Sequence, residues 1–251
     1  MGVSDEVKPK DQYFHFKGFS VRHDRSSMKV GTDAVLLGLL ASCPEHGKML
    51  EVGSGCGVIS LIMAERSQGE FIAIDPDEQS LLDTKENFTS SKWHDRLECK
   101  QETIQQLAQT STQQYNFIFS NPPYFNKCLK GPNETRNRAR HTDTLPFDQF
   151  ASSTSKLLAP GGIVSVILPS DQKASFVCEM NKVGLGLSRS IDIIPVEGRT
   201  PIRVLMEFSY DTPQIEYQQL TLRNRNGEIT EEYKSLGNNW YLRMGDRKSV
   251  V

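Results

Sequence analysis

The residues with the clearest chemistry are Ser120-Asn121-Pro122-Pro123-Tyr124-Phe125. They follow Asn116–Ser120, an apolar run that reads as a strand. Ligands of an α/β sheet bind beyond the carboxyl ends of its strands, so this position suits a site. A planar nitrogen, such as an exocyclic adenine amine or a side-chain amide, is a poor nucleophile because its lone pair is delocalised. It also carries two N–H donors. The Asn121 side-chain carbonyl can accept one of them. The Pro122 carbonyl, held in place by the ring-fixed φ, can accept the other. Pulling on both hydrogens favours tetrahedral character and aims the lone pair, and the rest of the chemistry is positioning. Tyr124 offers an aromatic face on which a base or planar amide can stack. An Asn-Pro turn alone would require neither Pro123 nor the aromatic residue. Asn121, Pro122, Pro123 and Tyr124 are therefore expected to form a catalytic tetrapeptide.

A second constellation lies upstream, in Glu51-Val-Gly53-Ser-Gly55-Cys-Gly57, between a strand-like run and a helical one. Glycines at such a turn let the backbone curl and let a ligand approach without Cβ interference. A dinucleotide site would need glycine at position 58, which is Val58. The GxGxG spacing behind an acidic residue is instead the pattern of S-adenosylmethionine (SAM) methyltransferases. The loop would make room for the methionine part, and Glu51 would fix the loop or accept hydrogen bonds near the ammonium. Asp75, at the tip of the next strand-like run, can accept both ribose hydroxyls. The competing role for Asp75 is a helix N-cap.

The elements that must position these groups alternate. Met49–Gly53, Phe71–Asp75, Leu97–Lys100, Asn116–Ser120 and Gly162–Pro169 read as strands. Val58–Arg66, Glu78–Thr89, Phe147–Leu158 and Asp171–Lys182 have helical spacing. This order predicts βαβ units and a mainly parallel sheet. Ser188–Val196 and Pro201–Tyr210 flank a GRTP turn and predict an antiparallel pair closing that sheet. Phe14-His-Phe16 and Phe19-Ser-Val21 flank Lys17-Gly18, as a small hairpin would. The expected fold is Rossmann-like α/β with seven strands, the last antiparallel. Its parts are a hairpin and cleft-covering segment (1–47), a SAM-binding core (48–210) and a C-terminal appendage with a frayed end (211–251).

Composition narrows the classes. No run reaches the ~18 apolar residues of a membrane span, and the N-terminal residues lack a signal peptide's apolar stretch. The 5 cysteines and 5 histidines have no metal-ligand spacing, so neither a zinc site nor a disulfide frame is expected. These features predict a cytoplasmic protein, most simply a monomer. A net charge of -2 does not announce a nucleic-acid binder, so any RNA site must come from local clustering. Lys17, Arg22, Arg25 and Lys29 form one cluster, against only Asp24. Lys127, Lys130, Arg136, Arg138 and Arg140 form the other, against only Glu134. The two are expected to clamp the phosphates on either side of a flipped base.

The chain resembles the bacterial tRNA1(Val) adenosine-37 N6-methyltransferases, within the wider NPPY amino-methyltransferases. The resemblance begins at Phe14–Arg25 and continues through Met28-Lys-Val-Gly-Thr-Asp33 and Leu36-Leu-Gly38. After the glycine loop and Asn-Pro-Pro-Tyr it returns at Arg203–Phe208, Leu220-Thr-Leu-Arg223 and Ile229–Tyr233. It implies SAM as donor and the anticodon arm of a tRNA as substrate. It matches Glu51, Gly53, Gly55, Gly57 and Asp75 to the SAM site, and Lys29, Thr32 and Asp33 to an element over the cofactor cleft. Near the SAM adenine the sequence departs from the usual pattern. Thr103 stands where an aspartate is usual and Glu102 lies one residue earlier, so both are candidates. The alternative reading is N5-glutamine methylation of a protein such as a release factor, because that amide presents the same NH2. Those enzymes usually carry a helical N-terminal domain, for which residues 1–47 leave no room. Guanine-N2 enzymes usually show NPPF. A non-catalytic scaffold could have lost Asn121 or the glycines, which are intact.

Overall fold

The structure is a computed structural model that describes residues 12–122, 145–211 and 214–241. It opens with a hairpin of β1 (Tyr13–His15) and β2 (Ser20–Arg22), paired with Phe14 opposite Val21. The core strands are β3 (Lys48–Val52), β4 (Glu70–Asp75), β5 (Leu97–Gln101), β6 (Tyr115–Ser120), β7 (Leu158–Pro169), β8 (Gly186–Ile194) and β9 (Arg203–Ser209). These seven form the expected frame, and β10 (Glu216–Thr221) adds an eighth strand. The sheet order is β10-β8-β9-β7-β6-β3-β4-β5. Strand β9 runs antiparallel to both of its neighbours, and every other pairing is parallel. The β8–β9 pair lies as expected but does not close the sheet, because β10 pairs with β8 beyond it. Residues expected to sit in a separate appendage thus extend the core sheet.

Side-chain alternation along the strands builds two apolar layers. On β6, Phe117 and Phe119 join the layer that also holds α1 (Thr32–Leu40) and α2 (Val58–Arg66). Ile118 points the other way, into the layer with Phe150 of α5 (Phe147–Leu157) and Phe176 of α6 (Lys173–Lys182). Two more helices, α3 (Glu78–Ser90) and α4 (Ile104–Thr110), follow β4 and β5. Helix α2 is buried on every side from Val58 to Ala64, since α1 covers the face turned away from the sheet. Gly38 permits that approach: a Cβ there would come within 2.8 Å of Ile62 Cγ2. Helix α1 has no polar face, with Ala34 to Leu39 all buried, and so shows no amphipathic period in the sequence.

The two ends of the described chain meet. Phe16 bridges to Tyr241, Lys17 N–H donates to the Trp240 carbonyl at 2.8 Å, and the Phe16 and Tyr241 rings lie 6.0 Å apart. The short helix α7 (Glu231–Gly237) leads into that contact. Among the described residues, no helix is long and apolar enough to cross a membrane.

Candidate active site

The glycine loop is fixed from both sides. The Gly53 and Ser54 amides donate to the Ile74 carbonyl, at 2.8 and 3.1 Å, which locks the loop to the tip of β4. From α3, Thr84 Oγ1 donates to the Gly55 carbonyl at 2.7 Å and Asn87 Nδ2 to the Cys56 carbonyl at 2.8 Å. Gly53, Gly55 and Gly57 all have positive φ, at 74°, 53° and 75°. They do different work. A Cβ on Gly53 or Gly55 would meet nothing within 4 Å, and both residues line a cavity. A Cβ on Gly57 would press to 2.7 Å from the Phe88 ring, so this glycine serves the packing of α2 against α3.

Glu51 is fully buried. Its Oε2 accepts hydrogen bonds from the Ser60 amide, at 3.2 Å, and from the Ser60 hydroxyl. Among the described residues Oε1 has no partner. Burial pushes the carboxyl up to about 8, against the Ser60 hydrogen bonds that favour its charged form. Asp75 accepts one amide on each oxygen, Gly55 N–H at 2.9 Å and Asp77 N–H at 2.9 Å. A carboxylate has about four acceptor positions, so two remain for hydroxyl donors. Burial holds the Asp75 carboxyl above its ordinary value. The N-cap of α3 is Asp77, whose Oδ2 accepts from the Ser80 amide at 3.0 Å. Asp75 is therefore not needed as a cap.

At the end of β5 the two candidates separate. Thr103 caps α4 in a reciprocal box: its hydroxyl accepts from the Gln106 amide and the Gln106 side chain accepts from the Thr103 amide. Glu102 is half-buried beside it, with its amide bonded to the Asp75 carbonyl. Among the described residues its carboxylate has no hydrogen-bond partner, whereas the Thr103 hydroxyl is committed to the cap.

Asn121 follows β6 directly and is 8% exposed. The Ser120 hydroxyl donates to the Val52 carbonyl at 2.7 Å and ties the tip of β6 to that of β3. Asn121 and the glycine loop thereby line one cavity of about 630 Å³. The N-terminal segment covers it. His23 Nδ1 accepts the Val30 amide at 3.1 Å, closing a loop that brings Lys29, Thr32 and Asp33 to the same cavity. Asp33 is bridged to Arg203, at the start of β9, at 2.8 Å. Pro122 is buried, while Pro123, Tyr124, Lys127, Lys130, Arg136, Arg138 and Arg140 lie outside the described residues.

Arg22 and Arg25 do not form the cationic face expected of them. Arg22 pairs with Asp24 at 2.7 Å and with Glu86 at 3.1 Å. Arg25 pairs with Asp83 at 2.6 Å and also with Glu86. Asp83 is fully buried and accepts in addition from the Arg25 and Ser26 amides. The two guanidinium groups pin the hairpin to α3, where three carboxylates more than offset their charge. A count along the chain saw only Asp24, because Asp83 and Glu86 arrive from about 60 residues away. Arg203 and Arg223, which the sequence offers with Arg199 only as fallback RNA contacts should the Lys127–Arg140 cluster not bind, both line the cavity.

The family described as "Methyltransferase small domain" matches residues 25–183. The tRNA1(Val) (adenine(37)-N6)-methyltransferase of Phocaeicola vulgatus is 41% identical over 232 residues, covering 92% of this chain and 98% of its own. That of Histophilus somni is 34% identical, covering 93% and 98%. The chain belongs to the tRNA1(Val) (adenine(37)-N6)-methyltransferase family. Among solved structures, a predicted O-methyltransferase of Agrobacterium tumefaciens superposes with a TM-score of 0.61 at 15% identity, covering 83% of this chain and 96% of its own. The precorrin-6y C5,15-methyltransferase of Geobacter metallireducens gives 0.51 at 13% identity, covering 76% and 97%. These likenesses concern the fold alone. The residues of this methyltransferase fit SAM on two observations: glycines whose missing side chains leave open space, and a buried carboxyl oxygen without a partner.

Proposed function

We propose that this protein methylates the N6 amine of adenosine 37 in tRNA1(Val), with SAM as donor. The observation that carries this reading is that Asn121 and the open side of the glycine loop line one cavity. That shared lining supports an acceptor role for the Asn121 amide beside a donor role for the loop. When bound, SAM supplies an electrophilic methyl group on a sulfonium. The protein's own residues do the rest. Asp75 accepts from the ribose hydroxyls and Glu51 presents Oε1 to a cationic group. The Asn121 side-chain carbonyl and the Pro122 carbonyl each accept one hydrogen of the adenine amine and aim its lone pair. Tyr124 supplies the stacking face for the flipped base. The family relatives, named for this base and position, support the choice of RNA over a protein amide.

The test is to incubate tritiated SAM with total tRNA, ribosomal RNA and release factor, then to digest the labelled product. N6-methyladenosine in tRNA is expected. Label confined to a glutamine of the release factor would refute the reading.

A further inference from the structure

The cavity extends away from the groups that suit the donor. Asp75 and Glu102 stand at the tips of β4 and β5, on one side of β3. The cavity runs to the other side, past Asn121 at the tip of β6 to the tips of β9, β8 and β10. There its wall is apolar, built by Ile193, Pro195, Val196, Ile202 and Leu222. Ile202 is 47% exposed, a large apolar side chain left open at that wall.

Four charged residues line the cavity: Lys29, Asp33, Arg203 and Arg223. Asp33 and Arg203 offset each other at 2.8 Å. Two cations are left. Among the described residues neither Lys29 nor Arg223 has a carboxylate within 4.0 Å. Arg223 is held in place, with its carbonyl accepting from Glu197 N–H at 2.8 Å and its Nη1 donating to the Gly227 carbonyl at 2.7 Å. Strand β10 carries Leu222 and Arg223 to the carboxyl edge of the sheet, where Leu222 N–H bonds the Ile194 carbonyl at 2.8 Å.

We propose that this half of the cavity seats the RNA strand next to the target adenosine. A backbone phosphodiester is bound by Lys29 and Arg223, and a sugar or base face lies on the Ile202–Leu222 wall. The inference rests on the proposed function and adds the part of the RNA that each side chain meets. Both chain extensions then serve the acceptor, since the N-terminal loop brings Lys29 and the C-terminal strand brings Arg223. Of the two roles the sequence offers Lys29, over the cofactor cleft and in a phosphate clamp, the second is the one retained here.

The experiment measures binding of a synthetic anticodon stem-loop RNA by fluorescence anisotropy across a salt series. The proteins are wild type, Lys29→Gln, Arg223→Gln, the double variant, Arg223→Lys and Ile202→Ser. Each Gln variant should bind about tenfold more weakly and lower the salt slope by roughly 0.7–0.9, the value for one lost phosphate contact. Arg223→Lys keeps the charge and should restore the slope. Ile202→Ser should weaken binding with the slope unchanged. SAM affinity by calorimetry should stay at the wild-type value in both Gln variants. A double variant with wild-type affinity and slope overturns the proposal, as does a loss of SAM affinity matching the loss of RNA affinity. If wild type binds the stem-loop but leaves no N6-methyladenosine on tRNA, the functional reading fails by itself. If tRNA is methylated and the slopes do not move, only the phosphate assignment fails.

Discussion

Glu51→Gln tests whether the buried carboxyl beside the glycine loop is neutral in the fold. In the folded protein burial holds the proton up to about pH 8, against an ordinary value of 4.5. Folding between those pH values therefore takes up a proton. Stability from this group is fully present below about 4.5 and is lost as pH rises towards 8. At about 1.4 kcal/mol per tenfold difference in proton affinity, the ceiling is on the order of 4–5 kcal/mol. Rearrangement on ionisation brings the expected loss between pH 5.5 and 8 to about 2 kcal/mol. The glutamine variant would keep an acceptor for Ser60 and would not titrate at this position. Asp24 and Glu86 are held below their ordinary values by the neighbouring arginines, so their contributions are lost only in more acidic solution and do not enter this window. Urea unfolding of both proteins at half-unit steps from pH 5.5 to 8 gives the difference curve, in which shared histidine effects cancel. Wild type should lose stability relative to Glu51→Gln as pH rises. A difference that stays constant across the range would show that Glu51 is ionised throughout. Donor binding gives a second readout: if Oε1 receives the ammonium, calorimetry at pH 7 in two buffers should register close to one proton released by wild type and none by the variant.

Three other outcomes are expected. Asn121→Ala should lower turnover by on the order of 100-fold or more with SAM affinity near normal, because the role proposed for Asn121 is toward the acceptor; a rate above about half of wild type would remove Asn121 from the chemistry. Asp75→Ala should weaken SAM binding by on the order of 1.5–3 kcal/mol by calorimetry, since it removes an acceptor for hydroxyls and the anchor of the Gly55 amide; unchanged affinity would assign Asp75 to loop structure alone. Gly57→Ala should cost more stability than Gly55→Ala in thermal unfolding. Both incur left-handed strain of about 1–2 kcal/mol, and only Gly57 adds a clash with the Phe88 ring; equal melting temperatures would contradict the packing role.

Local spacing made much of the fold legible. Strand β4 and helix α2 come from runs whose apolar residues repeat at the right period, and α2 begins and ends where the sequence places it. The glycine loop was legible because positive φ leaves a compositional mark, and Asp75 because it follows an apolar strand. Two elements were not legible. Helix α1 is covered on all sides, so its sequence has no polar stripe. Strand β10 is exposed over Glu216–Gln219, so it has no apolar alternation, and only its parallel register with β8 makes it a strand.

The site shows the same limit in its charges. A window along the chain counts Arg22 and Arg25 as free cations with one acid nearby, yet α3 supplies Asp83 and Glu86 to both. The same window gives no reason to pair Asp33 with Arg203, which are 170 residues apart. Both errors have one cause. Charge balance at a site is set by which strand tips and helix ends meet at the sheet's carboxyl edge, and that depends on topology. Once the topology is known the balance changes place: Arg22 and Arg25 become a fastening on α3 with no cationic surplus, and the positive charge at the cavity rests on Lys29 and Arg223. An RNA backbone follows charge at the site and is indifferent to charge along the chain. Substitutions at Lys29 and Arg223 should therefore alter the salt dependence of binding, whereas substitutions at Arg22 and Arg25 should first alter the attachment of the hairpin.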